Sequence, residues 1–213
     1  MFFISKILAG SAFATFFLFP FIQKANGQNK VYKDSLLAYQ KSYINTHDVI
    51  GKEDRKYLHF YDIDENYRVL SSFRKITDTK GFFMTTSSGK KQKYFKYGLL
   101  TFKLNGNLLY LYIYQSEALM QREKLKDYLF VPFGDATSGF TSYGGGRYLD
   151  FRKSDIRNNQ LIIDFNKAYN PYCAYTSGYN CPIPPKENLL TIPIRAGEEN
   201  YGKPFHEKYF FFK

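Results

Sequence analysis

Apolar and polar positions change their period along the chain, and each change marks a different kind of element. Behind Lys6, residues Ile7 to Ile22 form an almost unbroken apolar run, ILAGSAFATFFLFPFI. From Tyr32 to Tyr57 the period is near 3.6: Leu36, Leu37, Tyr39, Gln40, Tyr43 and Ile44 predict one amphipathic helix. Asp48 to Gly51 interrupts it, and residues 53–57 allow one more turn. From His59 onward the pattern is short strands between turn residues. Strands are predicted over Tyr67–Ile76, Phe82–Thr86, Tyr94–Leu104, Asn107–Gln115, Leu129–Phe133, Tyr148–Phe151, Leu161–Asn166 and Leu189–Arg195. Pro193 makes the last of these an edge or bulged strand. His59–Asp64 alternates too, placing His59, Tyr61 and Ile63 on one face. Ser116–Asp127 reads as a loop or short helix, and the apolar tail Tyr209–Phe212 as buried.

Asn105-Gly106 is the strongest local signal, because both turn positions tolerate positive φ. It predicts Leu104 opposite Asn107 and fixes the later pairs. Leu100, Phe102 and Leu104 then face Leu109, Leu111 and Ile113 on a core surface. Tyr97, Leu99 and Thr101 face Tyr114, Tyr112 and Tyr110 on the other. That second face is too aromatic for plain solvent; it is covered by the N-terminal helix or lines a pocket.

The composition agrees with strands. The chain holds 20 Tyr and 22 Phe but no Trp among 213 residues, and such residues favour pleated, half-buried surfaces. Its formal net charge is +11. The lysines are scattered, with no arginine-rich helix or stacking motif, so nucleic acid is not an expected partner. The first 27 residues read as an export signal: a short charged start, the apolar run, then Ala25-Asn26-Gly27 before Gln28. The run is too short to span a bilayer and contains Pro20, so no stable membrane span is expected after cleavage. Residues 28–213 are expected to form one β-rich domain in a periplasmic or extracellular setting.

Gly, Pro, Tyr, both cysteines and several carboxylates crowd into residues 130–199. Gly144-Gly145-Gly146 precedes a strand instead of linking a strand to a helix, which excludes a phosphate-cradling loop. The glycines fit a bulge or a close backbone approach, and Arg147 beside them suits an anion or an ion pair with Asp150 or Asp164. Cys173 and Cys181, with seven residues between them in a Pro-rich loop, read as one disulfide in an oxidising compartment. A zinc site lacks two further ligands at suitable spacing, and no metal or cofactor is implied. The carboxylates Asp135, Asp150, Asp164, Glu187 and Glu198 have no fixed separations in a strand-and-loop sequence. There is no GxSxG, HExxH or CxxC.

The runs His59–Asp64 with Tyr67-Arg68-Val69, Phe130–Phe133 with Asp135-Ala136-Thr137, and Tyr143–Asp150 resemble a bacterial and archaeal family. Asp164-Phe165-Asn166 to Tyr175, Cys181-Pro182, Pro184-Pro185, Glu187-Asn188 and Ile194–Glu198 share the resemblance. It is domain of unknown function family 1684, and it implies one domain of this size with no activity to transfer. The expectation is a mainly β fold of the α+β kind: a curved antiparallel sheet or β-barrel with an N-terminal helix. The leading function is binding of a small polar-aromatic or anionic ligand near the Gly-rich and Cys/Pro-rich loops. Tyr143, Arg147, Asp150, Asn170, Tyr172, Glu187 and Asn188 are its candidate contacts. The alternatives are an envelope hydrolase using Glu187, Asp150 or His59 as acid and base, and a structural or interaction module.

Overall fold

A computed structural model describes residues 19–78 and 80–203, with side chains from Asn29 onward. Residues 7–18 of the apolar run expected to belong to an export signal, and the Tyr209–Phe212 tail, lie outside the described residues. The chain divides into two compact units, Met1–Ser35 and Leu36–Lys213. In the first, the described part is helical, and Asn29–Ser35 is mostly exposed. The second unit holds the sheet.

Helix α1 spans Phe19–Thr46, and its residues from Leu36 onward belong to the second unit. It ends before the predicted break, and Lys52–Tyr57 forms the expected further turn, of 3-10 type. Seven strands come after it: β1 Arg68–Lys75, β2 Phe82–Thr85, β3 Lys91–Leu104, β4 Asn107–Ser116, β5 Tyr128–Phe133, β6 Arg147–Arg152 and β7 Gln160–Asp164. A short helix, α2 at Glu117–Met120, links β4 towards β5. The ladders are all antiparallel and run β6-β5-β4-β3-β1-β7, with β2 also on β3. The sheet curls into a half-barrel and remains open, with β6 and β7 at its two ends.

Alternation sorts each strand between two apolar clusters. Leu100, Leu111, Ile113, Leu129, Val131 and Phe133 are among those filling the main core. A smaller cluster on the other side holds Met84, Tyr94, Tyr114, Phe130 and Tyr148. The Asn105-Gly106 hairpin has the predicted register from Leu104↔Asn107 to Gly98↔Ile113. Beyond Gly98 it shifts, and Lys96 takes the place opposite Tyr114 that was expected for Tyr97. The bulge turns Tyr97 towards Phe73 and the main core. Gly98 permits this, because a Cβ there would run into the Phe73 ring.

Two predicted strands are absent. His59–Asp64 runs extended but pairs with residues 197–199, through Tyr61 N to Gly197 O, Glu199 N to His59 O and an isolated Phe60↔Glu198 bridge. Leu189–Arg195 lies beside residues 134–136, bonded by Leu190 N to Gly134 O and Ala136 N to Ile192 O. Pro193 has no N–H, and the next amide, Ile194, donates to the Asp135 side chain at 3.1 Å. Side chains thus replace a strand partner where a ladder cannot continue.

Candidate ligand-binding site

The tyrosine face of the sheet is covered in part and in two ways, with Tyr110 left exposed. Over β4 lies the turn Lys186–Asn188, with Glu187 accepting from the Tyr114 hydroxyl at 3.4 Å and pairing with Lys96 at 3.0 Å. At the β6 margin helix α1 approaches instead. Tyr39, Tyr43 and His47, four residues apart, share one helical face. Tyr43 packs on Tyr169 and edge-on to Phe60, and Tyr169 packs edge-on to Tyr148. Two backbone bonds between Tyr148 and Tyr169 hold this margin.

Between these elements lies a groove of about 690 Å³. Its walls are Tyr43 of α1, His47 just past its end, Tyr148 of β6, and Tyr169, Tyr172 and Tyr179 of the following loops. Asp150, two residues beyond Tyr148 on the same face, is at its floor and remains accessible to water. The Tyr128 hydroxyl donates to it at 2.5 Å and the Tyr169 hydroxyl to both its oxygens at 2.9 Å. The protein walls around the carboxyl push its pKa above the usual carboxylate value, opposed by those two hydroxyls and by Arg152. A second groove of about 680 Å³ shares Tyr39, Asp150 and Tyr169 and contains Arg68, Arg157 and Lys167.

The Cys/Pro-rich loop forms the rim. Cys173 and Cys181 are joined in a disulfide, and Cys181 and Pro182 line the groove. Closing this short loop contributes about 2–3 kcal/mol by chain entropy. The rim is tied to β2 by Ile183 N to Thr85 O at 2.8 Å and Ser87 N to Cys181 O at 2.9 Å. Tyr148 Oη donates to Pro182 O from below.

Behind the groove Glu198 is 0% exposed. It accepts from Tyr43 Oη at 3.0 Å, Tyr175 Oη at 2.6 Å and the Asn170 amide at 2.9 Å, with no cation within ion-pair distance among the described residues. Burial pushes its pKa up to about 7, against the pull of those donors. Glu198 thereby ties α1 to the Asn170–Tyr175 segment. Nothing in the pattern of the sequence singled it out beyond a carboxylate after an apolar run.

The sequence-predicted residues do not form one cluster. Asp150 and Tyr172 line the groove, and the disulfide edges it. Asn170 lies directly behind, donating from Nδ2 to Glu199 O, while its buried Oδ1 lacks a partner among the described residues. Tyr143 bonds the Cys173 carbonyl at 3.4 Å.

Arg147 points into the interior, 0% exposed. Its fork meets Asp135 at 2.9 Å and donates to the carbonyls of Ile194, Ala196 and Glu198. The ion pair expected with Asp150 or Asp164 is therefore made with Asp135, because β6 alternation sends Arg147 and Asp150 to opposite faces. Asn188 is also fully buried and bonds β4 and β5. Of the proposed acid and base groups, Asp150 is in the groove, Glu187 is bound to Lys96 over β4, and His59 is exposed elsewhere. The glycine run serves packing: a Cβ on Gly146, at φ +82, would meet Pro184 at 2.5 Å and Phe133 O at 2.6 Å. Sequence reasoning missed Tyr39, Tyr43, His47, Tyr148, Tyr169 and Tyr179. The four-residue spacing on α1 was the available signal.

Among the described residues, no helix is long and apolar enough to cross a membrane. No curated protein matches the chain. Among solved structures, the chain is similar to an uncharacterized protein of Haloarcula marismortui determined by solution NMR, at 29% identity and TM-score 0.60. That match covers 82% of this chain and 97% of the other. The family model described as protein of unknown function (DUF1684) matches residues 54–199, so the chain belongs to that family.

Proposed function

We propose that this chain is an exported binding protein for a small molecule, held in the tyrosine-walled groove over Asp150. The observation that carries this is the arrangement at Asp150. A carboxylate oriented by two tyrosine hydroxyls is left open to water beneath aromatic walls. Apolar walls with a few placed polar groups are the general chemistry of ligand pockets. The walls come from the helix, β6 and the disulfide-tied rim, so the site is preformed.

Export is supported by the leader-like residues 1–27 and by the disulfide, which suits an oxidising compartment. The Gly-rich loop acts as scaffold in this view, since the Arg147 fork is occupied within the fold. An anionic ligand is disfavoured, because the charged side chains lining this groove are Asp48 and Asp150.

Intact mass of protein recovered from its native export route tests both parts. The expected polypeptide begins at Gln28 and is two hydrogens lighter than the reduced chain. Under native conditions it carries extra mass that Asp150→Ala loses. A chain retaining residues 1–27 contradicts export by a cleaved signal. Extra mass undiminished in Asp150→Ala contradicts the groove.

A further inference from the structure

We propose that the groove over Asp150 selects an organic cation, an ammonium or guanidinium group carried on an apolar body. This deepens the proposed function and rests on it. Asp48 and Asp150 line the groove, and no Lys or Arg does, although the chain has 30 basic residues against 19 acidic. Basic side chains are therefore abundant on this protein and excluded here. Neither carboxylate has an ion-pair partner among the described residues. Each is hydrogen-bonded by tyrosine hydroxyls, Asp48 by Tyr172 at 2.9 Å and Asp150 by Tyr128 and Tyr169, with Arg152 acting on Asp150 only at longer range. Hydroxyls orient a carboxylate and leave its charge in place. A cation bound between the two gains their attraction and the negative faces of the surrounding rings, whereas an anion meets repulsion from both.

His47 supplies an independent observation. It is 6% exposed, lines the groove, and its Nδ1 accepts from the Val49 amide at 3.3 Å. That bond puts the proton on Nε2, which has no partner among the described residues. Burial holds the imidazole's pKa below its ordinary value, against the pull of Asp48. An unsatisfied buried N–H is costly, and this ring keeps an unspent donor in the groove wall. The neighbouring groove shares Asp150 but adds Arg68, Arg157 and Lys167 with Asp155 and Asp164, so both signs are present there.

The test uses full-length mature protein with labelled tyrosines and three probes of one shape. Choline carries the charge, 3,3-dimethylbutan-1-ol is its neutral isostere, and 3,3-dimethylbutanoate is the anion. NMR titration reads the signals of Tyr148, Tyr169 and Tyr172. Choline is expected to shift them with a dissociation constant about tenfold or more below that of the neutral isostere. Asp150→Asn should remove most of that preference while other tyrosine signals stay in place, and Asp48→Asn should reduce it. Equal or tighter binding of the alcohol or carboxylate at these tyrosines overturns the cation assignment and leaves the groove standing. No shift at these tyrosines with any of the three at millimolar concentration overturns the groove and the assignment together.

Discussion

The side-chain amide of Asn188 bridges Tyr112 and Pro132 and donates to Tyr112 O in place of the N–H that Pro132 lacks. The β4–β5 ladder pairs Tyr114 with Phe130, and continuing it would set Tyr112 opposite Pro132, which has no N–H. Asn188 Oδ1 accepts from Tyr112 N at 2.8 Å. Its Nδ2 donates to Tyr112 O at 2.9 Å and to Pro132 O at 2.8 Å. A proline is thereby admitted to an interior strand, and the sheet can bend at that point.

Asn188→Leu would leave these buried backbone groups unsatisfied, costing about 2–4 kcal/mol. Urea unfolding measures the loss, and faster hydrogen exchange at the Tyr112 amide locates it. Asn188→Asp should cost at least as much, because an acceptor then faces two carbonyls.

Arg147 and Asp135 give a second prediction. Both side chains are essentially inaccessible, and the guanidinium also carries three carbonyls of the irregular 194–198 segment. Arg147→Met strands the Asp135 charge and should destabilise by about 3–5 kcal/mol. Arg147→Lys keeps the charge without the planar fork, so a substantial part of that loss should persist in urea unfolding.

Glu198 predicts a pH dependence with a defined sign. Its folded pKa is raised from 4.5 to about 7, so the native state holds the proton more tightly than the unfolded chain. Its stabilising contribution is full below pH 4.5 and is lost as pH rises through 7. The span corresponds to about 3 kcal/mol as an order of magnitude. Glu198→Gln, which resembles the protonated acid, should flatten the stability profile in that window. A profile unchanged by this substitution in urea unfolding at several pH values would contradict the assignment.

The glycine run makes a contrast within three residues. Gly146→Ala forces a Cβ into Phe133 O and Pro184 at positive φ and should cost about 2 kcal/mol or more. Gly144→Ala meets nothing nearer than 3.5 Å and should cost under about 1 kcal/mol. Thermal unfolding of the two variants separates them.

The hairpin, the core alternation, the helix and the disulfide were legible because each rests on local spacing. Asn105-Gly106 fixes a turn, and every later pair agrees until Gly98, where the Phe73 ring shifts the register. That shift depends on β1, a contact the spacing of β3 does not contain. Leu189–Arg195 had strand residues but no ladder, because Asp135 and Arg147 took its backbone groups. The candidate site was half legible. Asp150, Tyr172 and the cysteines lie in the crowded region, whereas Tyr43 and His47 come from more than a hundred residues earlier. Residues such as Arg147 and Asn188 are chemically conspicuous, yet their chemistry is spent inside the fold.

If this protein meets its ligand in the groove over Asp150, the backbone around that groove must become more protected when the ligand is present. Hydrogen-exchange mass spectrometry with the small-molecule fraction of the source cells reads that protection. The prediction is slower exchange in peptides covering residues 147–152 and 169–182, abolished by Asp150→Ala. Slower exchange confined to other segments, or persisting in Asp150→Ala, would place the ligand elsewhere and refute the groove.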